Sequence, residues 1–202
     1  QLALTREIID IDSTTGQEGA VGLHLARTLR ALGYTVAEQP VTGDRINVLA
    51  TLGETPAVVF STHIDCVPPF FGSRQENGRV YGRGACDAKG IAVAEIAAVE
   101  RLRTLGVSNV GLLFVVGEER GSDGAKQANA VPAGSRYLVN GEPTDNRLAS
   151  ATRGLYRLRL GLFNPPAGGA RPPFSDAATG LTTDPAPSES RAISAGAPPE
   201  PP

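Results

Sequence analysis

Four short motifs rich in carboxylates, with one histidine among them, lie at the ends of predicted elements in this chain. Three of the motifs directly follow apolar, β-like runs, which are residues 57–60, 111–116 and 137–139. The acidic and histidine side chains of the four motifs are His63, Asp65, Asp87, Glu118, Glu119 and Glu142. Because the carboxyl ends of strands form the ligand crevice of an open α/β sheet, we expect these side chains to meet at one edge. One imidazole and several carboxylates gathered there would make a cation site.

Hydrophobic periodicity predicts helices that alternate with strands. The predicted helices are residues 2–11, 17–32, 91–105 and 124–130. The predicted strands are residues 34–40, 46–52, 57–61, 79–81, 111–116, 137–140, 149–153 and 155–160. The run 111–116 is continuously apolar, which is typical of a strand buried on both faces. Alternating strands and helices favour an α/β layer fold.

Composition restricts the class of protein. The chain has 202 residues, a net charge of −2 and two cysteines. A net charge near zero indicates no nucleic-acid partner and no acidic membrane surface, and no apolar run is long enough to span a bilayer. Two cysteines do not make a disulfide framework, and no signal peptide is visible. We therefore expect a cytoplasmic protein.

The composition changes after about residue 161. Ten of the sixteen prolines lie in residues 162–202, where no apolar periodicity is present. Such a segment cannot bury enough apolar surface to offset its ordering entropy, so we predict disorder there. The predicted organisation is a partial catalytic domain over residues 1–160 and a Pro/Ala/Gly-rich tail over residues 161–202. The tail is interpreted as either a frameshift product or a genuine end.

The four motifs, in this order, resemble those of the M20 family of metallopeptidases and aminoacylases. The residues in these motifs are similar to those of the acetylornithine deacetylase and succinyl-diaminopimelate desuccinylase branch. The resemblance covers roughly residues 5–160. It implies a zinc-exopeptidase-like, open mixed and mostly parallel sheet flanked by helices, truncated before the lid domain. It also implies two divalent metals, Zn²⁺ for preference with Co²⁺ or Mn²⁺ as substitutes, and a homodimer for a full-length member.

The resemblance assigns the metal ligands residue by residue. His63 and Glu142 are expected to bind one metal, Glu119 the other, and Asp87 to bridge the two. A bridging anion is needed because two dications about 3.5–4 Å apart repel each other.

Two further residues are assigned to catalysis by the same resemblance. Asp65 is expected to orient His63, a partner that metal-bound histidines commonly have. Glu118 is expected to act as general base on a metal-activated water. The implied reaction is hydrolysis of an amide bond in an N-acyl amino acid or a small peptide.

The departures from the family pattern leave alternatives open. The family has a second metal-binding histidine late in its catalytic domain, and this chain has only His24 and His63. The alternatives are therefore a catalytically impaired truncate and a non-catalytic metal-binding module. Cys66 and Cys86 flank the motifs and are interpreted as small buried packing residues rather than thiolate ligands.

Overall fold

The computed structural model describes residues 1–53, 55–131 and 134–144, with the backbone of two short strands further along the chain. The helices are α1 (Leu2–Ile9), α2 (Gly19–Ala31), α3 (Lys89–Thr104) and α4 (Asp123–Ala130). The strands are β1 (Thr35–Thr42), β2 (Arg45–Thr51), β3 (Val58–His63), β4 (Arg74–Glu76), β5 (Arg79–Tyr81), β6 (Val110–Val115), β7 (Tyr137–Asn140), β8 (Phe174–Ser175) and β9 (Thr182–Thr183).

Five strands form one sheet in the order β1-β2-β6-β3-β7. Strand β2 is antiparallel to both of its neighbours, whereas β6, β3 and β7 are mutually parallel. Four of the five strands therefore run in one direction, and only β2 is reversed. This mixed, mostly parallel sheet confirms the predicted fold class.

The hydrophobic core lies between one face of this sheet and helices α1, α2 and α3. Helix α2 contributes Val21, Leu25 and Leu29, which recur every four residues and are wholly buried. They pack in one cluster with alternate residues of the strands, such as Val48 and Phe114. Burying each such side chain contributes about 1.5–3 kcal/mol. The amphipathic stripe of α2 therefore sets which face it turns to the sheet.

Helix α4 contacts β1, β2 and β6. The amide of Asn47, which points away from the core face that holds Val48, donates a hydrogen bond to the carbonyl of Gly124 at 2.8 Å. Helix α4 therefore packs on the face opposite the main core, and helices flank both sides of the sheet. Within the described part of the chain, no helix is both long enough and apolar enough to cross a membrane.

Strand β4 is missing from the sequence predictions. It pairs with β5 in a hairpin whose two turn residues, Asn77 and Gly78, both have positive φ, at 50° and 73°. An Asn-Gly pair suits such a two-residue hairpin turn. All three residues of β4 are exposed, so the strand has no apolar alternation that could reveal it.

The predicted strands 149–153 and 155–160 lie outside the described residues. Residues 164–202 form a separate unit, in which β8 pairs antiparallel with β9 through Phe174 opposite Thr183 and Ser175 opposite Thr182. The boundary at residue 161 and the predicted disorder beyond it stay predictions.

Candidate metal centre

The acidic motifs meet at the carboxyl ends of three neighbouring parallel strands. His63 is the last residue of β3, Glu118 and Glu119 follow β6, and Glu142 follows β7. Asp87 reaches the same place from the loop that precedes α3. Because β6, β3 and β7 lie side by side and run in the same direction, their ends form one edge. The chain thus gathers residues up to 79 positions apart, from His63 to Glu142, into a single site.

The donor atoms in this site are close enough to share a cation. His63 Nε2 lies 3.0 Å from Asp87 Oδ1 and 3.8 Å from Glu142 Oε2. One donor atom from each of His63, Asp87 and Glu119 lies within 4.8 Å of the other two. A set of one imidazole nitrogen and several carboxylate oxygens suits Zn²⁺ and related divalent ions. The residues present therefore fit a divalent metal.

A wholly buried carboxylate, Asp65, lies behind His63. His63 Nδ1 is 3.0 Å from the backbone carbonyl of Asp65 and 3.4 Å from its Oδ1. Asp65 also accepts a hydrogen bond from the Thr15 hydroxyl at 2.9 Å. The backbone N–H groups of Glu118 and Glu119 donate to its two oxygens at 2.9 and 3.1 Å. Asp65 thereby fixes the imidazole with Nε2 toward Asp87 and Glu142, and links His63 to the Glu118–Glu119 turn.

The electrostatics of His63 favour positive charge at this position. Burial acts to lower its pKa, but hydrogen bonds with Asp65 and Asp87 outweigh burial and raise the pKa to about 11. The imidazole must be neutral to bind a metal, so a proton and a metal compete for it.

The pKa values of Glu119 and Glu142 show that the carboxylates are crowded. Burial raises both pKa values, and the charge of Asp87 raises them further. The amide of Asn140 donates to Glu142 Oε1 at 3.1 Å, which acts in the opposite direction. A bound dication would offset this repulsion, so the charge of the site fits a metal as well as its geometry does.

Glu118 lies beside the ligands rather than among the three that are closest together. It lines a cavity together with His63 and Glu142. Residues of β6, β7 and α4 form much of the rest of the wall, including the apolar side chains of Val115, Leu138 and Ala125. This position leaves the Glu118 carboxylate next to the proposed metal-binding atoms.

Comparison with known proteins identifies the family. Residues 59–186 match the sequence model of peptidase family M20/M25/M40. The chain belongs to this family. A probable carboxypeptidase of Aspergillus clavatus is 36% identical to the chain over 175 residues, which is 76% of this chain and 39% of that protein. The M20 chain described here thus spans about two fifths of the length of this relative.

Solved peptidase structures share its fold. A tripeptidase from Staphylococcus aureus superposes with a TM-score of 0.60 at 24% identity, over 74% of this chain and 43% of that one. A dinuclear metal-binding M20 peptidase from Bacillus subtilis superposes with a TM-score of 0.52 at 17% identity, over 70% and 42% of the two chains. These superpositions show that the chain and the two peptidases have the same fold.

The sequence analysis did not identify several residues that lie around the site. Thr15 donates a hydrogen bond to Asp65, and Glu18 forms an ion pair with Arg45. Lys89 is wholly buried, and its Nζ donates a hydrogen bond to the carbonyl of Ile11 at 2.6 Å. Charged residues carry no apolar periodicity, so their burial leaves no signal in the sequence. The interpretation of both cysteines as buried is half wrong, since Cys66 is buried but Cys86 is exposed.

A buried carboxyl on α3 is a further group that the sequence analysis missed. Glu95 is 7% exposed, and its Oε2 has no hydrogen-bond partner among the described residues. Burial raises its pKa well above the usual range, and the charge of Glu142 adds to the effect. A carboxyl with a raised pKa loses its contribution to stability as pH rises above its unfolded pKa, because the folded state must then bury a charge or hold a proton.

We expect Glu95→Gln to raise the free energy of unfolding of the metal-free chain at pH 8 by about 1–3 kcal/mol, since it removes this ionisation. At about pH 4 the difference from the unmodified chain should be small, because both states then keep the carboxyl protonated. Urea denaturation at the two pH values, with chelator present, measures this. A variant that is equally destabilised at both pH values would contradict the expected ionisation.

Proposed function

We propose that this chain forms the metal-binding part of a hydrolase that cleaves the amide bond of an N-acyl amino acid or a small peptide. The observation that supports the proposal most is the close grouping of His63, Asp87 and Glu119 donor atoms, with Glu118 beside them. The M20 relatives named as carboxypeptidase and tripeptidase agree with a peptide-like substrate. We also propose a cytoplasmic location, on composition alone.

The metal is proposed to be Zn²⁺, with two ions in a complete site. His63, Asp87, Glu119 and Glu142 would hold them, and the dinuclear M20 peptidase from Bacillus subtilis agrees with this number. When bound, the metal supplies a Lewis acid that polarises the carbonyl and lowers the pKa of water. Co²⁺ and Mn²⁺ are expected to substitute, because they accept the same donors.

The chain's own residues supply the proton transfers. Glu118 accepts the proton of the attacking water and returns it to the nitrogen of the breaking C–N bond. Hydrolysis then yields a carboxylic acid and an amine, with one water consumed. Asp65 keeps His63 oriented throughout, and the hydrogen bonds that it accepts from the Glu118 and Glu119 amides hold the base next to the proposed ligands.

We expect Glu118→Gln to lower the rate of hydrolysis by at least about a hundredfold, since a positioned base contributes about 10²–10⁴-fold. Zn²⁺ affinity should change little, because the amide replaces a carboxylate outside the closest donor group. The measurement combines calorimetric Zn²⁺ titration of the 202-residue chain with hydrolysis of N-acetyl amino acids and dipeptides.

The matched control is Glu76→Gln, an exposed glutamate of β4 whose ion pair is with Arg74. It should leave both binding and hydrolysis unchanged. Hydrolysis by Glu118→Gln at the rate of the unmodified chain would exclude Glu118 as the base. Tight Zn²⁺ binding without hydrolysis of any substrate would favour the non-catalytic metal-binding module instead.

A further inference from the structure

A buried ion pair lies next to the turn that carries Glu118 and Glu119. Glu18 is wholly buried at the start of α2, and Arg45, at the start of β2, is 11% exposed. The guanidinium donates to both carboxylate oxygens, from Nε to Oε2 at 2.8 Å and from Nη2 to Oε1 at 3.0 Å. This bidentate arrangement is the geometrically most specific form of an Arg–Glu pair.

The Glu18 carboxylate also accepts hydrogen bonds from two backbone N–H groups outside its own helix. Gly117 donates to Oε1 at 3.0 Å, and Gly16 donates to Oε2 at 2.8 Å. Gly117 directly precedes Glu118 and Glu119, and Gly16 directly follows Thr15, which donates to Asp65. One carboxylate therefore holds both backbone segments that converge on Asp65.

Arg45 also contacts the end of the loop that runs from Gly117 to Asp123. Its Nη1 lies 3.6 Å from Asp123 Oδ2, in the first turn of α4. Gly117 has φ +70°, and a Cβ atom there would collide with the Arg45 guanidinium. The arginine therefore packs directly against the backbone of the turn, and the positive φ favours glycine at position 117.

Stability alone gives a weak reason for this pair. Removing two charges from water costs several kcal/mol per ion, and a buried pair often stabilises no better than apolar residues of similar volume. What the pair does provide is a fixed geometry, because the four hydrogen bonds that the Glu18 carboxylate accepts come from three residues, Gly16, Arg45 and Gly117.

We propose that Glu18 and Arg45 form a positioning pair that fixes the 117–119 turn, and so sets where Glu118 and Glu119 lie relative to His63 and Asp87. The roles of Glu118 and Glu119 in this statement rest on the proposed function. The fixing of the turn itself does not, since it is a property of the backbone and of the ion pair.

The test is amide hydrogen exchange of the metal-free 202-residue chain, measured residue by residue by NMR. In Glu18→Gln, the amides of residues 117–119 should exchange at least about tenfold faster, the loss expected for one charge-assisted hydrogen bond. The amides of Leu112 and Phe114 in β6 should keep their rates. The matched control is Glu38→Gln, which breaks the Arg30–Glu38 pair at 2.8 Å and lies away from the turn.

Two outcomes would overturn the proposal. One is equal acceleration of the turn and of β6, which means that the pair only adds global stability. The other is unchanged exchange in the turn. If Glu18→Gln does not fold, Arg45→Lys decides by the same criterion, because lysine keeps the charge and loses the bidentate contact.

The proposed function is tested separately in the same variants. Glu18→Gln should weaken Co²⁺ binding by about tenfold, within the range seen when outer partners of metal ligands are removed. Failure of the unmodified chain to bind Co²⁺ would contradict the proposed function but leave the exchange result intact. The two proposals can therefore fail independently.

Discussion

Replacing His63 with alanine is expected to lower the affinity of the chain for Zn²⁺ by at least about a hundredfold. In the proposed site His63 supplies the nitrogen donor, and its Nε2 is the atom that both Asp87 and Glu142 approach. Carboxylate oxygens alone suit Mg²⁺ or Ca²⁺ better than Zn²⁺. Removing an outer partner of a metal ligand already costs about 10–100-fold, and loss of the ligand itself should cost more. Calorimetric titration with Zn²⁺ measures the change.

His24→Ala is the matched control for this experiment. His24 is the chain's other histidine, lies on α2, and has its Nε2 3.5 Å from Glu7 Oε2, away from the candidate site. Its replacement should leave Zn²⁺ affinity unchanged. If the two alanine variants bound Zn²⁺ equally well, the metal would have to lie elsewhere and the proposed ligand set would be wrong.

Replacing Asp65 with asparagine is expected to produce the second large effect, on stability and on metal binding together. Asp65 is wholly buried and accepts three hydrogen bonds, from the Thr15 hydroxyl and the amides of Glu118 and Glu119. An asparagine side chain has one acceptor oxygen, so its NH₂ group would face a donor. We expect the free energy of unfolding to fall by about 2–4 kcal/mol and Zn²⁺ affinity by about 10–100-fold.

The pH dependence of this effect has a definite sign. Burial acts to raise the pKa of Asp65, but the adjacent His63 imidazole and the hydrogen bonds from the Glu118 amide and Thr15 outweigh it and lower the pKa below its usual range. A carboxyl with a lowered pKa stabilises the fold above its unfolded pKa, and this contribution is lost as pH falls through the folded pKa. The stability difference between Asp65 and Asp65→Asn should therefore be full at neutral pH and shrink in strong acid.

Asp12→Asn provides the comparison for Asp65→Asn in urea denaturation. Within residues 1–144 as far as the structure describes them, Asp12 accepts only local hydrogen bonds, from the backbone and hydroxyl of Thr14 at 2.9 and 2.8 Å. Its replacement should cost less than about 1 kcal/mol and leave metal binding intact. Equal losses in the two variants would mean that Asp65 has no special part in the site.

The central elements of this fold could be predicted from local pattern. Strand β7 has the predicted bounds, and β6 and α3 differ from prediction by a residue or two at their ends. Continuous apolar runs and an alanine-rich periodic helix are strong signals because burial and helix propensity act in the same direction there. The resemblance to the M20 family was carried by motifs at the ends of these same elements, and the family match confirms it.

The surroundings of the site could not be predicted in the same way. Glu18 and Arg45 are 27 positions apart, and Gly117 is a further 72 positions along the chain. Nothing in the local sequence distinguishes a buried glutamate at the start of a helix from a solvated one. Glu95 lies on α3 among alanines and valines, and its burial follows from the packing of that helix against the sheet.

The sequence by itself determined the types of the main elements, the order of the motifs and the membership of the M20 family. These depend on apolar periodicity and on short motifs, and both can be recognised from a few neighbouring residues. Only the tertiary structure decided that β6, β3 and β7 are adjacent and parallel, and that Asp65 lies between His63 and the Glu118–Glu119 turn. It also decided that the Glu18–Arg45 pair contacts this turn, through the hydrogen bond from the Gly117 amide to Glu18. The physical reason is that hydrogen bonds to buried charges are made between distant segments, which come together only when the sheet forms.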